Sequence, residues 1–389
     1  MAPALLVIQP TPFCNIDCDY CYLPDRSNAH RMSMETLAAA ARQVFASSRV
    51  GSELSVVWHA GEPLVLPPEY FREAFAIIDQ QRPSGIQIRH SFQSNGILLT
   101  DRWVRFIQEF DITFGVSIDG PAWLHDAHRK TRAGQGTHAM AMKGVKRLQE
   151  NHVPFHVICL LTKESIRYPD EIFDFFLEHE IRQIGFNIEE IEGAHVTSSL
   201  NEPGIENLFR SFFRRILARL QRCSNSIRVR EVDRVIACLR DPQFPTSNAN
   251  CQNEPFGILS IAHDGSFSTF SPELLGHSHP KYGSFQFGNV RSGNVEDIFH
   301  DPRFQKLAGD IETGVKNCRA SCKYFSFCGG GAPANKLAEM GTMDCTETLF
   351  CRLTQKIVVE CVLGALETDL LATRQNQLMC AAGYQPNYL

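Results

Sequence analysis

Apolar runs typical of strands alternate with amphipathic runs typical of helices from residue 4 to about residue 222. This alternation predicts parallel strands joined by crossover helices. The six predicted strands, each followed by a helical segment, are 4–9, 54–59, 86–93, 112–118, 155–161 and 183–188. A closed eight-fold barrel needs two more units, and the sequence beyond residue 235 does not supply them. The sequence therefore predicts an α/β fold of six βα units.

Capping residues and prolines locate several helix starts. Ser33 and Thr100 belong to the residue types that cap helices, and Pro169 occupies a favoured first-turn position. Further helices are predicted from about Pro68, over residues 138–150, and after Pro203.

Cysteine is the informative part of the composition, with fourteen residues in a chain of 389. There is no run of 18 apolar residues, so no membrane span is expected. The start, Met1-Ala2-Pro3, does not read as a signal peptide, and the expected location is the cytoplasm. A formal net charge of −5 argues against a general nucleic-acid binder.

Clustered cysteines in a reducing compartment more often bind metal than form disulfides. Cys14, Cys18 and Cys21 follow the first strand at C-x3-C-x2-C spacing. Three thiolates this close can hold three irons of a [4Fe–4S] cube and leave the fourth iron open. A zinc knuckle and unrelated thiols are the alternatives. The cysteines that stand singly are interpreted as packing residues: Cys159, Cys223, Cys238 and Cys380.

The segment 13–22, in which Phe13, Tyr20 and Tyr22 accompany the three cysteines, resembles the signature of radical S-adenosylmethionine (radical SAM) enzymes. In that family the open iron chelates the amino and carboxylate groups of SAM. The resemblance implies the family's partial (β/α)6 TIM-type barrel, in agreement with the six predicted units, and a [4Fe–4S] cluster on Cys14, Cys18 and Cys21.

Polar motifs follow the second, third and fourth strands, where β/α barrels place their chemistry. Residues 60–63 resemble the family's GGEP segment, residues 93–96 its QTNG segment, and residues 117–129 the SxDGP…HDxxR segment of the sulfatase-maturase-like branch. The resemblance implies SAM contacts from these segments and from the loop after strand six: Ala60, Gly61, Glu62, Gln93, Asn95, Ser117, Asp119, Arg129 and Asn187.

The loop after strand six is interpreted either as a solvated acidic loop or as part of the cavity lining. The catalytic base is left unassigned, with Glu189 and Glu273 as candidates.

A second cysteine region follows a polar linker at 236–250. Two short strands around Asp264-Gly265 predict a hairpin, and three clustered cysteines precede the glycine run 329–331. By itself this region is also compatible with a zinc ribbon. It resembles the SPASM extension of radical SAM peptide maturases. The predicted domains are therefore a barrel (1–235), an auxiliary-cluster domain (251–360) and a C-terminal helix or tail (361–389).

The full SPASM pattern binds two auxiliary [4Fe–4S] clusters, and this chain departs from it. Phe270 and Ala332 stand where two cysteines of the inner cluster belong, so only the outer cluster is expected. Its predicted ligands are Cys318, Cys322, Cys328 and Cys351. Cys351 is chosen over Cys345 as the fourth ligand, and whether Cys251 or Cys345 binds iron is left open.

The residue after the missing hairpin cysteine bears on the substrate. Sulfatase maturases carry an aspartate there as the base of formylglycine formation, whereas this chain has Ser271, which cannot replace a carboxylate base. Residues 328–351 resemble maturases that modify glycine-rich repeats or form cyclophanes in ribosomally made precursor peptides, joining an aromatic ring carbon to a β-carbon. A cyclophane-forming maturase is the first hypothesis. A sulfatase-type formylglycine maturase, with Glu273 close by, is the second.

A non-catalytic iron–sulfur electron carrier is the third hypothesis, and the series of SAM-contact motifs weighs against it. The resemblance implies a 5′-deoxyadenosyl radical made from SAM and an external electron donor of the flavodoxin or ferredoxin type. Because strand one begins at residue 4, no leader-binding domain is expected before the barrel. The precursor peptide is expected to be recognised at the barrel mouth, the SPASM-type region or a separate protein.

Overall fold

The computed structural model describes residues 5–223, 227–241 and 250–368. All six predicted strands are present, each end within one residue of its expected position. In chain order the strands are β1 (Leu5–Ile8), β2 (Ile16–Cys18), β3 (Glu53–Trp58), β4 (Gln87–Ser94), β5 (Thr113–Ser117), β6 (Arg129–Thr131), β7 (Phe155–Leu161), β8 (Gln183–Ile188), β9 (Arg228–Val229), β10 (Ile258–Ile261), β11 (Ser266–Thr269), β12 (Ser278–His279), β13 (Gly283–Ser284) and β14 (Gly288–Asn289).

The helices connect these strands and cover the sheet. The α-helices are α1 (Met34–Ala46), α2 (Pro68–Gln81), α3 (Asp101–Glu109), α4 (Ala122–His128), α5 (His138–Glu150), α6 (Pro169–Glu178), α7 (Ile205–Arg222), α8 (Arg230–Arg240), α9 (Pro302–Ser321), α10 (Phe325–Cys328) and α11 (Pro333–Met340). The 3-10 turns are Pro63–Val65, Ser165–Arg167, Cys251–Asn253, Pro272–Leu274 and Val295–His300. A π-helical stretch, Cys351–Ile357, continues as α-helix over 358–368.

Among the described residues the main sheet has ten strands, in the order β14-β11-β10-β1-β3-β4-β5-β7-β8-β9. The six predicted strands are neighbours in this order, and all pair in parallel. Their carboxyl ends therefore lie along one edge, where the predicted motifs begin. The predicted α/β arrangement of six parallel strands joined by helices is confirmed.

Aromatic side chains fill the space between the first strands and their helices. Trp58 and Phe92 on the strands, with Phe71 and Phe106 on α2 and α3, are all buried. The rings of Trp58 and Phe71 meet nearly at right angles, 5.2 Å apart. Burial of a side chain of this size contributes about 1.5–3 kcal/mol, so these contacts fix the strand ends that carry the polar motifs.

The C-terminal hairpin joins the barrel sheet. β10 pairs in parallel with β1, from Leu5 opposite Ile258 to Ile8 opposite Ile261. β11 returns antiparallel to β10 after the predicted Asp264-Gly265 turn. Gly265 has φ +88°, and the Asp264 carboxylate accepts from the Ser266 amide at 2.9 Å. The predicted division into domains stays a prediction, and it would separate two hydrogen-bonded strands.

Two parts of the predicted organisation lie outside the described residues: linker positions 242–249, and the tail from 369, which includes Cys380. In the described part of the chain, none of the helices is both long and apolar enough for a membrane crossing.

Candidate functional site

The loop of the three cysteines leaves β1 and is held in place by the HDxxR segment. β2, which ends at Cys18, pairs antiparallel with β6, which begins at Arg129, so these two residues are opposite each other. Arg132 donates to the Cys14 carbonyl from Nε at 3.0 Å and from Nη2 at 2.9 Å. Arg26 donates to the Cys18 carbonyl at 3.1 Å. Two arginine side chains thus hold the backbone of the cysteine loop, at Cys14 and at Cys18.

The three thiols fit an iron–sulfur cluster. None of them is in a disulfide. Burial, followed by the nearby Glu62 carboxylate, raises the pKa of Cys14 to about 12, and burial raises the pKa of Cys18 to about 11. Donors nevertheless face the sulfurs, with Arg129 Nη1 3.9 Å from Cys18 Sγ and Asn95 Nδ2 4.0 Å from Cys14 Sγ. These thiols would bind iron as thiolates, so cluster binding would release their protons, and the facing donors would then stabilise the charged sulfurs.

Residues 60–62 pack directly against the cysteine loop. Ala60, which replaces the first glycine of the family segment, has φ +67°. Gly61 has φ +87°, and a Cβ there would lie 2.3 Å from the Thr11 carbonyl oxygen. The Glu62 amide donates to Phe13 at 2.8 Å. This close approach requires glycine at position 61.

The Glu62 carboxylate joins this loop to the end of β4. It accepts from the Leu64 amide at 2.9 Å, the Ser94 hydroxyl at 2.8 Å and the Asn95 amide at 2.8 Å. Burial raises its pKa to about 7. In this arrangement the Glu62 carboxylate joins the loop after β3 to the end of β4. The backbone of residues 61–62 lies against the start of the cysteine loop, at residues 11–13.

The structure brings the motif residues of β4 and β5 together. Gln93 Nε2 donates to the Ser117 hydroxyl at 3.0 Å, and Asn95 Nδ2 donates to Asn15 Oδ1 at 2.7 Å. Gln93, Asn95 and Ser117 therefore line one edge beside the cysteine loop.

Asp119 and Arg129 form a buried ion pair beneath the same loop. Arg129 Nε and Nη2 lie 2.8 and 3.1 Å from the two carboxylate oxygens. Asp119 also accepts from the Leu160 amide at 2.9 Å and from the Tyr20 hydroxyl. Burial opposes ionisation of Asp119, but the Arg129 guanidinium holds its pKa below the usual range. The pair therefore supports Cys18 and Tyr20 from below.

The two candidates after β8 are engaged by neighbouring side chains. Asn187 Oδ1 accepts from Arg230 at 2.8 Å. The Glu189 carboxylate accepts from the Ser199 amide at 2.9 Å and lies 3.2 Å from His195 Nε2. Glu189 thus anchors the 195–199 loop. It also lines an open cavity of about 520 Å³ with His128, Thr162 and Lys163.

Three other carboxyl groups face the interior beside Cys21. Glu190, Glu192 and Glu273 interact with one another electrostatically, and Glu192 and Tyr22 also interact with Cys21. Burial raises the pKa of each carboxyl group above its usual value. Glu190 accepts from Asn335, and Glu273 accepts from the Ser271 hydroxyl. Acid groups of the barrel and of the C-terminal region therefore meet next to the cysteine loop.

The four predicted auxiliary ligands also lie together. Burial, followed by the neighbouring Cys328 and Cys322, raises the pKa of Cys351 to about 12. Burial also raises the pKa of Cys318, which interacts with the same two cysteines. Four cysteines are the usual ligands of [4Fe–4S], and the auxiliary cluster on these four stays a prediction.

Two other cysteines of this region, Cys345 and Cys251, are not among the four predicted ligands. Cys345 interacts with Cys318 and places its thiol 3.5 Å from the Thr342 carbonyl. Cys251 is on a turn that Asn250 and Asn253 tie to the glycine run, each at 2.9 Å from a carbonyl. Whether Cys251 or Cys345 binds iron stays open.

The two positions that lack SPASM cysteines are buried in apolar surroundings. Phe270 is fully buried with φ +74°, and its ring stacks on Phe304 at 5.8 Å. Ala332 is buried at the start of α11. Aromatic packing occupies the place where one ligand of an inner cluster would be.

Several residues of this region were not predicted. Arg132 and Lys336 contact cysteines of the two groups through polar contacts that no local motif indicates. Glu190 and Glu192 were recognised only as part of an acidic loop. No local pattern in the sequence indicates that these two carboxyl groups meet Glu273, which is about 80 residues further along the chain.

Comparison with known proteins identifies the family of the barrel region. The sequence model of the radical SAM superfamily matches residues 8–176. The uncharacterized protein sll1766 of Synechocystis sp. is 44% identical over 372 residues, which are 94% of this chain and 92% of that protein. The serine-type anaerobic sulfatase-maturating enzyme of Bacteroides thetaiotaomicron is 25% identical over 365 residues, 86% of this chain and 84% of the enzyme.

Solved structures agree in fold. Native anSMEcpe with bound AdoMet and Cp18Cys peptide matches with a TM-score of 0.73 at 19% identity, covering 96% of this chain and 99% of that one. Streptococcus suis SuiB bound to precursor peptide SuiA matches with a TM-score of 0.63 at 17% identity, covering 90% and 76%. The chain is therefore a radical SAM superfamily enzyme and belongs to the same family as its Synechocystis homologue.

Proposed function

We propose that this enzyme modifies a ribosomally synthesised precursor peptide in the cytoplasm, joining an aromatic ring carbon to a β-carbon in a cyclophane-type crosslink. The peptides bound to anSMEcpe and SuiB, two proteins of similar fold, support a peptide substrate. A reductase partner of the flavodoxin or ferredoxin type would deliver the electron that starts each turnover.

Cys14, Cys18 and Cys21 would hold the first [4Fe–4S] cluster, which with SAM supplies a hydrogen-abstracting 5′-deoxyadenosyl radical. The chain's own residues set the geometry around it. Arg132 and Arg26 fix the loop backbone, and the Asp119–Arg129 pair supports it from below. The edge formed by Gly61, Gln93, Asn95 and Ser117 is the proposed contact surface for SAM.

The crosslink exchanges two C–H bonds for one C–C bond. The hydrogen atom of the β-carbon leaves on 5′-deoxyadenosine, and the ring carbon gives up a proton and one electron. An auxiliary cluster on Cys318, Cys322, Cys328 and Cys351 would supply an electron acceptor. The proton requires a base.

Glu273 is the better candidate for that base. The Glu189 carboxylate is occupied by Ser199 and His195. Glu273 interacts with Glu192 and Tyr22 beside Cys21, and burial raises its pKa. A raised pKa brings a carboxylate closer to the value that favours proton acceptance near neutral pH.

The observation that carries the crosslinking proposal is the pair Phe270–Ser271. Phe270 is locked in an aromatic stack, and Ser271 is buried with its hydroxyl on Glu273. The position at which sulfatase maturases carry their aspartate thus lacks a carboxyl group in this chain.

Formylglycine formation is the second candidate, favoured by one observation. The Glu273 carboxyl is in contact with Ser271 and could serve in place of the missing aspartate. The 25% identity to a sulfatase-maturating enzyme is consistent with this alternative.

The test is anaerobic incubation of reduced, iron-loaded enzyme with SAM and short peptides encoded beside its gene, followed by tandem mass spectrometry. A crosslink removes two hydrogens, suppresses fragmentation between the joined residues and leaves no aldehyde. Formylglycine changes one cysteine or serine, and its aldehyde reacts with hydroxylamine. Formation of 5′-deoxyadenosine with neither product on any neighbouring peptide would contradict both candidates.

Replacing Glu273 tests whether its carboxylate acts in catalysis or only supports the fold. Glu273→Gln is expected to abolish the modified peptide while SAM cleavage continues. Glu178→Gln changes an exposed glutamate at the end of α6 and serves as the matched control, with unchanged product yield. Equal yields from the two variants would remove Glu273 from the mechanism.

A further inference from the structure

Lys336 is buried beside the glycine run that follows Cys328, and its ammonium faces a cysteine sulfur. The residue is on α11 and only 3% exposed. Its Nζ lies 3.7 Å from Cys318 Sγ in donor geometry. Lysine is almost never buried without a partner of opposite charge. A neutral thiol would leave this ammonium without a counter-charge. An iron-bound cysteine sulfur carries negative charge and would supply it.

The Cys318 sulfur has two further polar neighbours. Its thiol donates to the carbonyl oxygens of Thr346, at 3.4 Å, and Gly330, at 3.7 Å. The negative ends of these carbonyls disfavour added electron density on an iron-bound Cys318 sulfur, and a nearby cation offsets them. Lys336 is the cation in hydrogen-bond contact with this sulfur among the described residues.

The backbone makes room for this lysine. Gly314 is one helical turn before Cys318 on α9, and a Cβ there would lie 3.0 Å from Lys336 Nζ and 2.3 Å from the Met343 carbonyl oxygen. Three other cations near the cysteines differ from Lys336. Arg234 interacts with Cys328 electrostatically, and its guanidinium donates to the Thr354 carbonyl at 3.3 Å. Lys356 forms an ion pair with Glu347, and Lys323 is exposed to solvent.

We propose that Lys336 is the charge partner of the outer auxiliary cluster. Its fixed ammonium, hydrogen-bonded to the Cys318 ligand, stabilises the extra negative charge that the cluster carries after accepting one electron. This makes Lys336 a positioning residue for electron acceptance, and the inference rests on the proposed auxiliary cluster. A positive charge in a poorly solvated site acts more strongly than one in water.

The test uses the full chain with Cys14, Cys18 and Cys21 changed to alanine, so that the auxiliary cluster alone remains. Redox titration is followed by electron paramagnetic resonance in this parent and in its Lys336→Met, Lys336→Arg and Lys323→Met derivatives. Lys336→Met is expected to lower the ratio of reduced to oxidised cluster at a given potential at least tenfold, a shift of about 59 mV to more negative potential. Lys336→Arg keeps the charge and is expected to stay near the parent. Lys323→Met, one residue from Cys322 but in solvent, is the matched control and should also match the parent.

The outcomes separate the two proposals. A parent protein without about four irons per chain would refute the auxiliary cluster itself, and the Lys336 proposal with it. A parent with its cluster and an unchanged potential in Lys336→Met would overturn the role of Lys336 alone. If Lys336→Met fails to assemble the cluster while Lys336→Arg assembles it, the charge is required and the proposal is supported. Loss of the cluster in both variants would mean that the site needs the size and shape of the lysine side chain and not only its charge, and this would overturn the proposal.

Discussion

Replacing Arg129 by methionine tests the buried ion pair beneath the cysteine loop. The guanidinium makes two contacts to Asp119, at 2.8 and 3.1 Å. Methionine fills similar space without charge, so Asp119, 3% exposed, would lose its cation and keep only neutral donors. Since β6 starts at Arg129 and pairs with β2, the variant also weakens the support of Cys18.

The expected magnitude follows from this geometry. Breaking a buried ion pair by removing one partner costs about 3–5 kcal/mol. We therefore expect Arg129→Met to lower the free energy of unfolding by about 3–5 kcal/mol, a large part of the total of about 5–15 kcal/mol for a typical domain. Asp119→Leu should cost a similar amount. The double variant buries no unpaired charge and should cost less than the sum by about 0.5–3 kcal/mol, the range over which contacting charged groups couple.

The assay is anaerobic urea unfolding of cluster-free protein, followed by circular dichroism, for the parent, both single variants and the double variant. Arg102→Met removes an exposed ion pair with Glu69 and is the control, expected to cost less than about 1 kcal/mol. Single-variant costs no larger than this control, or strictly additive costs in the double variant, would refute the reasoning. Iron content after reconstitution gives a second readout, because loop support is expected to matter for cluster retention.

Three further predictions concern separate parts of the site. Gly61→Ala would place a Cβ 2.3 Å from the Thr11 carbonyl oxygen at a φ of +87°. We therefore expect the cysteine loop to lose at least several-fold of its retained iron, measured after desalting. Unchanged iron retention would contradict the close approach. Glu190→Gln should stabilise the protein at alkaline pH. Burial raises the pKa of Glu190, so its contribution to stability is fully present below its unfolded pKa of about 4.3 and lost as the pH rises through the higher folded value. Unfolding curves of the variant and the parent should therefore converge at low pH and diverge at high pH, and parallel curves would be the contrary result. Reconstituted enzyme should hold about eight irons per chain, two [4Fe–4S] clusters. Cys351→Ala should lower this to about four and Cys345→Ala should leave it unchanged, while about twelve irons in the parent would contradict the single auxiliary cluster.

Much of the fold was predictable because strand and helix periodicity are local. Strands β7 and β8 and helix α5 were predicted to the residue, since each alternates or repeats apolar positions without interruption. The pairing of β10 with β1 was not predicted. No local pattern connects two short apolar strands that are about 250 residues apart in the chain.

In the candidate site, too, some features were predictable from the sequence and others were not. The positions of the cysteines and of the strand-end motifs follow from the chain order of a β/α fold. The partners of individual side chains do not: Asp119 and Arg129 were assigned to SAM, and the structure pairs them with each other. Glu62 likewise accepts three hydrogen bonds from its neighbours. Their direct contacts with SAM remain predictions.

The in-register pairing of β1 with β10 has a consequence for synthesis. β1 is made first and leads into the cysteine loop, but its partner on one side is made about 250 residues later. At about 5–20 residues per second this delay is roughly 10–50 s. During that time the nascent chain carries an unpaired strand edge next to thiols that have not yet received iron. A shortened chain that ends before residue 250 would keep that edge open permanently, so we expect such a fragment to aggregate.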